Sequence, residues 1–215
     1  MSKQPLQNRV DPWGRLQAVA CRGTLMGNRG NLHGQGKKIL RNWKSKAWVT
    51  CLLHFNNIKR PEVFAPGMYS ELFFLDEATA FAAGHRPCTR CQGERSRLFK
   101  KAWFLANDAR TAGAPETLAT LDEVLHSERV TSSGEKAVFR HPAGQLPVGT
   151  MFEWQGSALL CGRDGFLEWS FDGYREPRSE PKGDDIVSVL TPKSVVEAFR
   201  YGLEPCTFGL ATNRS

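Results

Sequence analysis

Long apolar runs are missing from this sequence: no segment approaches the roughly 18 uncharged residues needed to span a bilayer, and mean hydropathy is −0.41. Met1 to Arg9 carries no apolar stretch of the kind that marks a signal peptide, so a cytoplasmic location is expected. Cysteine is sparse. Six residues in 215, at positions 21, 51, 88, 91, 161 and 206, are too few and too irregular for a secreted disulfide scaffold, and reduced thiols are expected. There is no P-loop, no dinucleotide fingerprint and no internal repeat. No basic amphipathic helix stands alone to engage an anionic membrane.

Acidic residues are scarce in one half only. Residues 1–105 hold 18 Lys/Arg against 6 Asp/Glu, whereas residues 106–215 hold 11 against 16. A basic concentration of this size points to a phosphate-bearing partner, and duplex DNA is the expected one; a solvated basic face is the plain alternative. Between Cys21 and Arg41, glycines alternate with Arg22, Arg29, Lys37, Lys38 and Arg41. Glycine permits close backbone approach, so this segment reads either as a phosphate-contacting loop or as a surface turn.

Patterning predicts an α+β fold in three parts: a basic N-terminal portion built around a knuckle (1–112), a helical middle leading into a small β-rich C-terminal portion (113–206), and a loose tail (207–215). Strands are expected at 47–55 and 68–75 and helices at 77–83, 94–112 and 117–128. Leu98, Ala102, Leu105 and Ala109 would form the apolar stripe of the second helix, with Phe99, Trp103 and Ala106 beside it. Short strands follow at 136–140, 150–154, 157–161, 166–171 and 186–190, with Trp154, Trp169 and Phe171 in their core. Thr191 and Pro192 would open a last helix as N-cap and first residue.

Cys88-Thr-Arg-Cys91 stands at the mouth of a predicted helix. Two thiolates at this spacing grip one zinc ion, and a helix N-terminus favours their ionised form. A redox pair and plain structural cysteines are the alternatives. The segment Phe74 to Cys91, an alanine-rich helix leading through Gly84-His-Arg-Pro87 to Cys88-x-x-Cys91, resembles the second half of the Ada-type metal-binding domain of DNA repair proteins. That resemblance implies zinc bound by cysteines, DNA as partner, Cys88 and Cys91 as two ligands, and Arg86 and Arg90 at DNA contacts. The upstream Cys-x-x-x-Cys of that family, which includes its methyl-accepting residue, has no counterpart here. Cys51 is the best further ligand, with Cys21, His33, His54 and His85 behind it.

Acid–base chemistry has four candidates. Glu71 is expected between Tyr69, Phe73 and Leu75, where desolvation would prepare a carboxylate for proton transfer; an arginine-paired strand residue is the alternative. His126 and Glu128 gather with the Arg129 guanidinium at a helix end, and Asn28 could orient a water or read a base edge. Three functions are expected from these features: a glycosylase-type hydrolase acting on damaged or modified DNA in repair or defence; a non-catalytic zinc-containing DNA-binding or regulatory module; and a metal-dependent nuclease. Arg95 and Lys100, with the basic residues already named, complete the expected DNA footprint.

Overall fold

A computed structural model of the protein describes residues 4–56 and 62–209. The fold is α+β, with two six-stranded sheets and five α-helices among the described residues. The first sheet contains β1 (Arg9–Val10), β2 (Leu16–Gln17), β3 (Leu25–Asn28), β4 (Val49–Leu52), β5 (Leu72–Phe74) and β6 (Arg86–Pro87), in the order β2-β1-β5-β3-β4-β6. Central β3 runs antiparallel to both neighbours, while β4 and β6 are parallel. Glycine is required in β3, because a Cβ on Gly27 would lie 2.3 Å from the Val49 carbonyl oxygen and 2.8 Å from the Phe74 ring.

The second sheet is antiparallel throughout: β7 (Phe139–Pro142), β8 (Met151–Trp154), β9 (Ser157–Cys161), β10 (Phe166–Ser170), β11 (Gly173–Arg175) and β12 (Ile186–Val189), ordered β11-β10-β9-β8-β12-β7. The five expected C-terminal strands are present, β9 with the expected bounds and the other four with shifted ends, and β11 is an addition. Both N-terminal strands are shorter than expected.

Asp76 caps α1 (Glu77–Ala82) by accepting the Thr79 amide at 2.8 Å. Gly84 then leaves the helix at φ +84°, where a Cβ would also meet Arg129 Cδ at 2.5 Å. The expected helix at 94–112 is two pieces, α2 (Gly93–Ala106) and α3 (Asp108–Thr111). Its apolar stripe is not the one anticipated: Leu98 and Leu105 are 52% and 59% exposed, and Phe99, Trp103 and Phe104 carry the packing instead. They meet Leu121 and Leu125 of α4 (Leu118–Arg129) and Val195, Ala198 and Phe199 of α5 (Lys193–Arg200). Aromatic rings bury more area than the leucines one step round the helix, so they set its rotation.

Apolar clusters cross the expected boundary at residue 112. Ala78 and Ala82 pack with Met151, Leu160 and Trp169, and the Trp169 indole donates to Thr79 Oγ1 at 2.9 Å. Phe171 and Trp154 border these clusters. Pro192, not Thr191, is the N-cap residue of α5; the Thr191 hydroxyl accepts the Met151 amide at 2.9 Å. Of the expected loose tail, Phe208 is tied down by donating its amide to Asp76 Oδ2 at 3.0 Å, and residues 210–215 lie outside the described ones. No helix among the described residues is long and apolar enough to cross a membrane.

Candidate functional site

The β4–β6 register assembles the cysteines. Val49 lies beside Arg86 and Thr50 beside Pro87, so the next step along both chains brings Cys51 next to Cys88. The Cys88 amide donates to the Thr50 carbonyl at 2.9 Å, and the Gln92 side chain clamps the same residue at 3.0 Å. The chain then turns back through Cys91, whose sulfur accepts the Leu52 amide at 3.4 Å. The result is three Sγ atoms all within 4.8 Å of one another, half-buried and able to hold a metal ion.

Proton sharing among the thiols follows from that geometry. A hydrogen bond from Cys51, together with the amides of Cys91 and Arg90, lowers the Cys88 thiol to about 5. The same bond to Cys88, reinforced by burial, raises Cys51, and burial raises Cys91. Negative charge therefore concentrates where a cation would sit.

No fourth His, Cys, Asp or Glu joins the group among the described residues. Residues 1–3, 57–61 and 210–215 contain none of these types, so none of them adds such a ligand either. Cys21 faces Asp172, whose hydrogen bond raises its pKa. His33 is held by Ser70 at 2.7 Å and stacked on Phe64. His85 is fully buried, accepts from Arg29 Nε at 3.2 Å, and is driven well below its ordinary pKa by burial and two guanidinium charges. His54 is exposed and outside the group.

Comparison with protein-family models, curated proteins and solved structures gives no match. Function is therefore read from the geometry of the chain itself.

The basic residues named from the sequence divide into two sets. Arg22, Lys38, Arg41 and Arg90 are exposed. The others are engaged. Arg86 is 6% exposed and forms a two-pronged pair with Asp122 at 2.7 and 2.8 Å. Arg95 pairs with Glu77 at 2.6 Å, Lys37 with Glu62 at 2.7 Å, and Lys100 lies over the Phe104 ring at 5.8 Å. Arg29 is 1% exposed. As contacts for a duplex backbone lying on the outer surface, Arg86 and Arg29 are corrected: Arg86 is paired with Asp122 and Arg29 is turned inward, so neither stands out toward such a backbone. On α2, Arg97 and Lys101 are exposed basic residues as well.

The four acid–base candidates do not converge. Glu71 is buried, but its carboxylate accepts the Phe64 amide at 2.9 Å and so anchors a loop whose Phe64 stands at φ +59°. Glu128 caps α5 by accepting from Ser194 N at 3.0 Å and Ser194 Oγ at 2.5 Å, and also pairs with Arg110. Asn28 closes its own turn by accepting from Gly30 N at 3.2 Å. His126 packs on residues that line an open feature without lining it itself. Its ring packs edge-on against Trp43 at 5.7 Å and its Nδ1 lies 3.2 Å from Arg129, with burial and the Arg129 charge lowering its pKa.

That feature is a 670 Å³ cavity beneath the N-terminal end of β4, lined among others by Arg29, Trp43, Trp48, Arg129 and Lys136. Cys51 lies three residue steps beyond Trp48, about 10 Å along a strand. A second cavity of 630 Å³ on the other sheet is lined by Asp164, Glu176, Glu180 and Glu204, a poor environment for an anion. Lys136 and both tryptophans were missed from the sequence as site residues, while Arg129 belongs to the helix-end group of His126 and Glu128. The signal for the tryptophans was Arg41-Asn-Trp43-Lys44-Ser-Lys46-Ala-Trp48, where aromatic and basic residues interleave.

Proposed function

We propose that the chain is a zinc-containing DNA-binding protein, with action on damaged or modified DNA as the second reading. The observation that carries this is the three-thiol cluster, because it locks an exposed basic turn onto a sheet edge. Sulfur donors at this spacing suit zinc, and oxygen-preferring cations suit them poorly. Bound zinc would supply folding energy and hold Arg90 outward next to the start of α2, with Arg97 and Lys101 following it on that helix. Three protein ligands also leave one coordination position for water or a substrate atom.

Of the three functions, binding has the most support. Action on a modified nucleotide is the second reading, favoured by the cavity lined by Trp43 and Arg129, both of which contact His126. A metal-dependent nuclease has the least support, since no carboxylate joins the cysteines among the described residues. The test is the triple variant R90E/R97E/K101E against wild type on a labelled duplex at several salt concentrations. The variant should bind much more weakly and with a flatter salt dependence, because each lost phosphate contact removes counterion release. Equal binding by both proteins would defeat the DNA reading.

A further inference from the structure

Three cations converge on the cavity and none has an acid of its own. Arg29 donates to His85 and to the Gly14 carbonyl, and its Nη2 is buried without any partner. Arg129 donates to the carbonyls of Gly84 and Lys46, and its Nε is likewise buried without a partner. Lys136 is partly exposed along its stem, but its ammonium is inside and reaches the Ala82 carbonyl at 2.5 Å.

The two carboxylates whose charge acts on these cations, Asp11 and Asp122, are already engaged. Asp11 takes Arg15 at 3.0 Å and Gln17 at 3.3 Å, and Asp122 takes Arg86. Glu135, at the rim, is exposed and accepts from Ser133. Burial lowers all three, Lys136 to about 7 and Arg29 and Arg129 to about 9; repulsion from Arg29 and Arg129 adds to it at Lys136, from Arg129 at Arg29, and from Arg86 at Arg129. A guanidinium does not give up its proton in a protein, so this is an electrostatic demand for an anion.

The aromatic residues add a second requirement. Both guanidiniums lie on the Trp48 ring, at 4.0 and 4.1 Å, which fixes them without neutralising them. Arg15 covers Trp13 at 4.5 Å. Trp43 remains half-exposed at the mouth, tilted against Trp48 at 6.0 Å, with the exposed amide of Asn42 beside it. A planar group stacked on Trp43 would thus carry its negative charge inward toward the three cations. A cavity of 670 Å³ is within the range of small-ligand sites.

We propose that this cavity is a nucleotide site: it takes the phosphate of a single nucleotide on Arg29, Arg129 and Lys136, with the base stacked on Trp43. Such a ligand has two sources, a free mononucleotide or a nucleotide turned out of DNA. The second source rests on the DNA reading above and the first does not.

Titration calorimetry with inorganic phosphate, the four 5′-mononucleotides and their nucleosides tests the chemistry. A fully paired duplex and one with an unpaired central nucleotide, compared by anisotropy, test the source. Mononucleotides should bind at least tenfold tighter than nucleosides. Lys136→Met should weaken mononucleotide binding by about tenfold or more, the loss of one charge-assisted hydrogen bond. It should also raise the melting temperature of the free protein, because it removes an unpaired buried charge, so a folding defect cannot pass for lost binding. Trp43→Ala should weaken mononucleotides and leave inorganic phosphate unchanged.

R90E/R97E/K101E should keep mononucleotide binding while losing the paired duplex. Mononucleotide binding with no preference for the unpaired duplex identifies the free nucleotide as ligand, and such binding with no duplex affinity at all keeps the site while ending the DNA reading. No binding of phosphate, mononucleotide or unpaired duplex, or undiminished binding by Lys136→Met, overturns the proposal.

Discussion

Removing the Asp122 carboxylate tests how the knuckle is tied to the helices behind it. Arg86 leads directly into Cys88, and its guanidinium is held by both Asp122 oxygens at 2.7 and 2.8 Å with each side chain under 10% exposed. Asp122→Ala leaves a buried, unpaired guanidinium, which costs about 3–5 kcal/mol. Asp122 is also the acid that partly offsets the Arg129 charge, so the cost falls toward the upper end. For a chain of this size, that corresponds to a drop of about 6–20 °C in melting temperature. Replacing both partners, as Arg86→Met with Asp122→Leu, should recover much of the loss, because neither charge is then stranded. Calorimetry of the three proteins decides it. An Asp122→Ala protein within about 1 kcal/mol of wild type would refute the reasoning, as would a double variant no better than the single.

Other contacts carry predictions of their own. Cys51→Ser, Cys88→Ser and Cys91→Ser should each lose metal and stability together, read by elemental analysis and melting, because a structural site couples binding to folding. Glu71→Gln, which keeps an acceptor for the Phe64 amide, should melt close to wild type, while Glu71→Ala should lose about 1–3 kcal/mol as that buried N–H goes unpaired. Glu128→Ala should cost about 0.5–2 kcal/mol, since the first turn of α5 loses its acceptor; urea titration measures it. The depressed pKa of Lys136, about 7 in the fold against 10.5 in the free side chain, makes the unfolded chain bind the extra proton between those values. Its contribution to stability therefore improves as pH rises from about 7 to about 10. The margin by which Lys136→Met exceeds wild type should shrink over that range.

Much of the fold was legible because the local signals were strong. Asp76 and Gly84 bracket α1 with a side-chain cap and a positive φ, and Thr117 caps α4. The rotation of α2 was not legible. Leucines 98 and 105 suit a helical stripe as well as Phe99 and Trp103 do, and the choice is made by α5, some 90 residues later, on which the aromatic side packs. Cys51 was reachable as a third ligand, and the parallel β4–β6 register brings it to Cys88. Glu71 and Glu128 misled because a buried carboxylate looks the same in sequence whether it awaits a proton or holds a backbone amide. The basic cavity draws on residues 29, 43, 48, 129 and 136. Only the tryptophan-rich stretch left a local trace.

The most direct test of a zinc-dependent DNA-binding role is duplex affinity and zinc content measured on one preparation, before and after metal removal. The freshly purified protein should carry about one zinc per chain and bind duplex DNA, lose both on chelation, and regain both when zinc is returned. A preparation that contains no zinc yet is folded and binds DNA with unchanged affinity in the presence of chelator would contradict it.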